Sequence, residues 1–407
     1  MNRWLIPFED LTQEQKAAVK LSCLGNQLIL GPIGSGKTQI LIHRTGYLAK
    51  MMNAKSNRYR VFVFNNTTKE FIKSGLKLIG IPKQTVSTFD HFCRLFYERY
   101  INTHLPYYQG WPDFELIRKS VLDLLKRRKD LQKQLDFVLV DEGQDLSYDA
   151  YTILKLISKH ITVLMDPSQK IFKKGIEKEQ LLEILNIKTS GFYLKQVIRS
   201  SPFIVKLASY FCTINNCDRQ MLLRESKLQS SITEKPSYFV ADNYEEELDA
   251  IATVIKERML NNERIGILLT TNASIKAMHQ ALLKRSIKAE PIIASYSAVY
   301  DFNSEKPNLL TYFSAKGLTY DTIIMPQLTS KAFEWMDRFM VKQLLFVGIG
   351  RATKWVFLSS TRQDKLKEFD ILIKAEANKD LMKLNKRFRL KQNNGNNNEN
   401  GLYDLPL

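Results

Sequence analysis

The sequence predicts an α/β fold built on parallel sheets with helices on both faces, and three observations predict it. Short apolar runs followed by amphipathic stretches recur from residue 28 to about residue 360, the alternation of strand and helix. One run, Leu28, Ile29 and Leu30, passes through a loop of Gly31, Pro32, Ile33, Gly34, Ser35, Gly36, Lys37 and Thr38 into a helix-like stretch over residues 39–50, with Ile40, Leu41 and Leu48 at helical spacing. The residues of chemical character gather at the ends of such runs, where open α/β sheets bind ligands.

In chain order, the expected strands beyond the first are 61–64, 137–140, 161–165, 265–270, 309–313, 322–325 and 355–358, with a helix over 274–284. Residues 92–135 break the alternation. They carry Phe96, Tyr97, Tyr100, Tyr107, Tyr108 and Trp111, then a basic helical run with Lys126, Arg127, Arg128 and Lys129, and read as a small helical insertion. Residues 383–392 are basic, and 393–400 form an Asn/Gly tract that cannot build a core, so the end of the chain is expected to be disordered. Its apolar tip, Leu402 to Leu407, reads either as a frayed chain end or as a peptide that docks on a protein partner, the frayed end being the simpler reading.

With 407 residues and 44% apolar composition, the chain is long enough for two or three ordinary domains. Sixty Lys and Arg against 42 Asp and Glu give a formal charge of +18, which favours an extended polyanion as partner. Cys23, Cys93, Cys212 and Cys217 are too scattered for a disulfide framework or a zinc site and are expected as free thiols. The first residues lack the apolar core of a secretion signal and no stretch reaches membrane-spanning length, so a cytoplasmic protein with no membrane partner is expected.

The loop at 31–38 is a phosphate cradle. Gly31, Pro32, Gly34, Ser35 and Gly36 let backbone N–H groups close around phosphates, Lys37 reaches the terminal oxygens, and the Thr38 hydroxyl is placed for Mg²⁺. The run 137–140 ends in Asp141 and Glu142, a pair suited to holding Mg²⁺ (Asp141) and polarising an attacking water (Glu142). The run 161–165 ends in Asp166, Pro167, Ser168 and Gln169, whose amide is a candidate sensor of the terminal phosphate. These residues together predict hydrolysis of a nucleoside triphosphate. No second acidic cluster suggests a nuclease.

The order of these segments resembles helicase superfamily 1, in its UvrD/Rep-like branch. Residues 11–19 resemble the glutamine motif of that family, which implies that Gln15 reads the adenine edge; the family also implies ATP and Mg²⁺ as cofactors, with Gln39 and Gly317 in the nucleotide set. Residues 64–69, with Asn66 and Thr67, and 85–92, with Thr88 and Phe89, resemble its two early nucleic-acid motifs. Residues 194–202 resemble the motif carrying a γ-phosphate arginine, here Arg199. Residues 309–318, with Thr311, Phe313 and Ser314, resemble the motif coupling nucleotide to single strand, and residues 343–352 make Arg351 the arginine finger.

The resemblance divides the chain into two RecA-like P-loop NTPase lobes, 1–91 with 134–195 and 196–375, a small insertion at 92–133, and a basic helix with a disordered tail at 376–407. The two gaps that hold accessory domains in larger relatives are short here. Ile198 stands where the family usually has a tyrosine stacking on adenine, Gln39 where an arginine is common, Thr319 where a glutamate is usual and Gly350 where a threonine is usual. The segment after Gln169 lacks the usual base-stacking aromatic, for which Phe89, Phe172 and Phe313 are substitutes. The implied function is an ATP-driven motor on single-stranded DNA moving 3′ to 5′; RNA stays open, since nothing here reads a 2′-hydroxyl. The competing expectation is a partner-dependent ATPase switch, like the helicase-like subunit of the Gabija antiphage system.

Overall fold

The computed structural model describes residues 4–32, 34–170, 175–195, 200–212, 234–293 and 304–385. The first half of the chain runs α1 (Gln13–Val19), β1 (Gln27–Leu30), α2 (Lys37–Met51), β2 (Tyr59–Val63), α3 (Asn66–Leu78), β3 (Val86–Thr88), α4 (Phe89–Tyr100), β4 (Tyr107–Tyr108), β5 (Trp111–Pro112), α5 (Phe114–Arg127), β6 (Leu135–Val140), α6 (Tyr148–Ile157), β7 (Ser158–Met165), α7 (Lys178–Ile184) and β8 (Phe192–Tyr193). Six of these strands form a parallel sheet in the order β3-β2-β6-β7-β1-β8.

The second half runs α8 (Pro202–Ser209), β9 (Ser237–Ala241), α9 (Tyr244–Leu260), β10 (Ile265–Leu269), α10 (Asn272–Lys284), β11 (Glu290–Pro291), β12 (Asn308–Thr311), α11 (Tyr312–Ala315), β13 (Tyr320–Met325), α12 (Arg338–Ile349), β14 (Ala352–Thr361), α13 (Phe369–Ala377) and β15 (Met382–Lys383). Its strands make a second parallel sheet, β11-β12-β10-β13-β14-β9-β15. The protein is therefore an α/β molecule with two parallel sheets.

Both faces of each sheet are covered, which is why the central strands read as continuous apolar runs rather than alternating ones. In β6, Val138 and Val140 face one core while Phe137 and Leu139 face the other. In β13, Ile323 and Met325 point to one side and Ile324 to the other. Several strand ends carry a polar residue that caps the next helix: Asn65 accepts from the Thr68 N–H at 2.7 Å, Thr88 from His91 at 3.3 Å, and Thr311 from Ser314 at 3.0 Å. At these three places the strand hands its chain to a helix with no more than two residues between them.

Two differences from the sequence reading stand out. The insertion is not wholly helical: β4 and β5 pair antiparallel around Gln109 and Gly110, both at positive φ (50° and 81°), a two-residue hairpin turn. Helix α5 buries Ile117, Val121, Leu122 and Leu125 in the core shared with β6 and α6. Past residue 375 the described chain is not a basic helix; α13 ends at Ala377 and Met382–Lys383 pair with β9, extending the second sheet. Among the described residues no helix is long and apolar enough to cross a membrane, and Cys23 and Cys93 are free thiols. Cys217 and the terminal segment 386–407 lie outside the described residues.

Candidate active site

The phosphate loop leaves β1 and enters α2 through Gly36, which sits at φ +84° as the helix N-cap. A Cβ there would stand 2.2 Å from the Gln15 Nε2, so glycine is required twice over, by conformation and by contact. The Lys37 side chain is folded into its own loop: its ammonium donates to the carbonyl oxygens of Gly31 (2.7 Å) and Pro32 (3.1 Å) and stands 3.8 Å from an Asp166 carboxylate oxygen. Gly34 is also left-handed (φ +81°), and Ser35 is buried. The N–H groups at the start of this 15-residue helix, with Lys37 beside them, form an anion site.

Gln15 is placed differently from the expectation. Its amide oxygen accepts from the Thr12 N–H (3.1 Å), its Nε2 donates to the Ser35 carbonyl (3.1 Å), and the residue is 4% exposed. Both ends of the amide are engaged in bracing the phosphate loop, because Gln15 is the N3 residue of an α1 capping box pressed against Gly36. Gln39 is likewise engaged: it accepts from the Ile6 N–H (2.9 Å) and donates to the Trp4 carbonyl (3.1 Å), tying the N-terminal segment to α2.

Asp141 and Glu142 follow β6. Asp141 is buried, and its Oδ2 has no hydrogen-bond partner among the described residues. Burial and the neighbouring Glu142 push its carboxyl up to about 7. Glu142 stands in the left-handed region (φ +50°), which turns its side chain against Gln144 and Lys316. Burial alone would raise its carboxyl, but Lys316, Lys37 and Arg351 outweigh that and hold it below the ordinary range. Two adjacent buried carboxylates thus have their affinities for protons driven apart, the arrangement of a site that keeps one of them ionised. An orphaned buried carboxylate oxygen near Thr38 and the phosphate loop fits a divalent cation, and Thr38 and Asp141 are the residues that would hold it.

A continuous chain of bonds runs from Glu142 across the molecule. Gln144 Nε2 donates to Glu142 (2.7 Å) while its oxygen accepts from the Asp166 N–H (3.1 Å). Asp166 accepts from Gln169 Nε2 (2.6 Å), and the Gln169 oxygen accepts from the Arg351 guanidinium. Lys316, also from the second half, donates to Asp145 and to the Gln169 carbonyl (2.9 Å). Glu142, Gln169 and Arg351 of this chain of bonds edge a cleft of about 940 Å³, lined by Gly34 to Gln39 (without a break), Asp141, Glu142 and Gln169 on one side and by Arg264, Gly317, Thr319, Gly350 and Arg351 on the other. A cavity of that size accommodates a nucleotide. Gly317, at φ +84°, packs against Thr68, where a Cβ would meet its methyl at 2.9 Å.

The expected nucleic-acid residues separate into two groups. Asn66 is exposed and accepts from the Lys69 ammonium (2.8 Å); Thr88, Phe313 and Ser314 are half-buried, and Thr311 is buried as the α11 cap. Phe313 pairs with Trp335, centroids 6.5 Å apart and planes 29° from parallel. By contrast Thr67 (1% exposed) and Phe89 (3%) are core residues; Phe89 meets Phe62 edge-on at 5.7 Å. Both stand in the first turn of a helix and are closed off from solvent, so neither offers a surface to a strand. Arg199 and Phe172 lie outside the described residues, as does Ile198.

Sequence reasoning missed Lys316, Gln144, Asp166 and Trp335. Gln144 and Asp166 were legible as polar residues flanking assigned ones at strand ends. Trp335 follows no periodic pattern, and its 54% exposure is visible only in three dimensions.

A glycine-rich loop at a helix N-terminus, a buried carboxylate pair and an arginine from the opposite half, gathered at the ends of parallel sheets, make an anion-binding cleft of the P-loop type. Residues 11–118 and 109–174 match the UvrD/REP helicase N-terminal domain. A probable DNA helicase of Mycoplasma pneumoniae is 26% identical over 273 residues, covering 61% of this chain and 48% of that protein. The ATP-dependent DNA helicase PcrA of Staphylococcus aureus is 21% identical over 370 residues, covering 68% of this chain and 50% of PcrA. The chain spans about half the length of these curated relatives. The solved C-terminal domain of a possible DNA helicase from Lactobacillus plantarum covers 46% of this chain and 97% of its own, at 18% identity and a TM-score of 0.35. Over residues 11–174 the chain is thus similar to UvrD-like DNA helicases of superfamily 1.

Proposed function

We propose that the protein hydrolyses ATP in the cleft between its two sheets and uses the cycle to move along, or open, nucleic acid, with single-stranded DNA as the track and 3′ to 5′ as the direction. The observation that carries this reading is the meeting of Arg351 with Gln169: a cation from one half touches the candidate phosphate sensor of the other, so closure of the cleft completes the site. The names of both relatives speak of DNA, which supports DNA over RNA.

In this reading the loop amides and Lys37 hold the β- and γ-phosphates of ATP. Thr38 and Asp141 would hold Mg²⁺, which would supply charge neutralisation on those phosphates. Glu142 orients a water and accepts its proton as the water oxygen bonds to the γ-phosphorus; the bond to the β–γ bridging oxygen breaks, and ADP and phosphate leave. Arg351 balances the charge that develops on the transferring group. Gln169 holds Arg351 in place, and Gln144 holds Glu142. Asn66, Thr88, Phe313 and Ser314 face the strand, and the Phe313–Trp335 pair offers a base a stacking surface in a family whose usual aromatic is missing from the chain.

ATPase rates with no nucleic acid, single-stranded DNA, duplex DNA and RNA, for wild type and Glu142→Gln, test the proposal. Expected are stimulation by single-stranded DNA above the other additions, a steep fall with salt, and loss of turnover in Glu142→Gln. Hydrolysis indifferent to every nucleic acid would overturn it.

A further inference from the structure

Besides the glycine-rich loop and the carboxylates, the cleft has an apolar part, lined by Trp4, Phe71 and Leu78 from the first half of the chain and by Met259 from the second. Leu78 and Met259 are 49% and 40% exposed and Trp4 is half-buried, so apolar surface borders the cleft from both halves. The Trp4 indole is held in place. It stacks on Phe71 with centroids 3.9 Å apart and planes 25° from parallel, and it lies so close to α3 that a Cβ on Gly75 would stand 2.7 Å from the ring. Its backbone is tied to α2: Gln39 Nε2 donates to the Trp4 carbonyl (3.1 Å) and His43 Nε2 to the Ile6 carbonyl (2.8 Å). The first of these bonds fixes Trp4 beside the opening turn of α2, two residues past Lys37.

A nucleotide with its phosphates on the loop must lodge its base within the same cleft. The two amides that adjoin the loop, Gln15 and Gln39, each have both oxygen and nitrogen bonded to backbone groups. An aromatic face, by contrast, holds a base by area and stacking, and a thioether adapts to whatever ring it meets. We infer that the base stacks on Trp4, with Met259 covering it from the other half, and that the site takes purine nucleoside triphosphates by ring area rather than by reading the edge of adenine. An apolar slot of this kind discriminates weakly between rings of equal size. The inference rests on the nucleotide reading above, and it departs from the adenine-reading role that the resemblance implies for Gln15.

The test uses the full chain, as wild type, Trp4→Ala, Trp4→Phe and Met259→Ala. Calorimetric titrations with ATP, GTP, CTP and inorganic tripolyphosphate, each with Mg²⁺, give the affinities, and steady-state hydrolysis gives KM and kcat. Wild type is expected to bind ATP and GTP within about threefold of each other and CTP more weakly. Trp4→Ala is expected to weaken ATP and GTP by about tenfold each while tripolyphosphate stays within about twofold, the loss in hydrolysis falling on KM. Trp4→Phe should recover most of that affinity, and Met259→Ala should cost about threefold on ATP alone. Equal weakening of tripolyphosphate and ATP in Trp4→Ala would make Trp4 a packing residue and overturn the inference. So would a wild type that prefers ATP over GTP by tenfold or more, a result that decides the matter even if Trp4→Ala does not fold. A wild type that binds neither tripolyphosphate nor any nucleotide would instead strike the nucleotide reading itself.

Discussion

The Arg351 guanidinium donates a hydrogen bond to the side-chain oxygen of Gln169, joining residues 182 positions apart in the chain. Arg351 is also held from behind, its Nε donating to the Val347 carbonyl at 3.1 Å, and it is 6% exposed. It is therefore oriented before any ligand arrives, and little reorganisation would be needed for it to meet developing charge.

Arg351→Ala is expected to reduce ATP turnover by about 10³-fold or more while leaving ATP affinity within about tenfold of wild type, the pattern of a group acting chiefly in the transition state. Arg351→Lys should recover little, since an ammonium cannot keep both the Val347 and Gln169 bonds in the planar geometry of a guanidinium. Steady-state kinetics paired with nucleotide-binding titration checks both; turnover within a few-fold of wild type would remove Arg351 from the catalytic set.

The geometry of Gln15 makes a separate prediction about base selectivity. With both ends of its amide engaged on Thr12 and Ser35, Gln15→Ala should loosen the phosphate loop and weaken ATP and GTP binding alike, by roughly fivefold for about 1 kcal/mol of lost hydrogen bonding. Parallel titrations with the two nucleotides distinguish the cases. Selective weakening of ATP would return Gln15 to the adenine-reading role implied by the family resemblance.

A third prediction concerns stability against acid. His160 is buried beside Arg44, and burial first, then the nearby guanidinium, pushes its imidazole down to about 4 from an ordinary 6.5. The fold favours the neutral ring, so His160 contributes its full stability above pH 6.5 and loses it as the pH falls toward 4. The slope attributable to this one group is about 1.4 kcal/mol per pH unit across that window. Urea denaturation of wild type and His160→Gln at pH 7 and pH 5 should show a smaller acid loss in the variant; equal losses would count against the assignment.

Much of this was written locally. The run before Gly31, the glycines of the loop and the helical spacing after Lys37 lie within one short segment, so strand, cradle and helix follow from neighbouring residues alone. The same holds for Asp141 and Glu142 at the end of β6 and for Gln169 past the end of β7. The hairpin of β4 and β5 escaped because its strands are two residues each and carry no alternation to detect.

What the sequence by itself determined, then, was the inventory of the candidate site: a glycine-rich loop, a carboxylate pair, a candidate sensor amide and two candidate arginines, in a recognisable order. Only the tertiary structure decided which of these meet and which are buried. Lys316 reaches Asp145 over a separation of 171 residues, and no local periodicity marks a lysine as one that will be wholly enclosed. Thr67 and Phe89 sit in family motifs and yet are buried, Phe89 edge-on against Phe62, because burial depends on how the helix packs on distant elements. Local pattern determines an element; the packing of distant elements determines the environment of its side chains, and a catalytic site is made of environments.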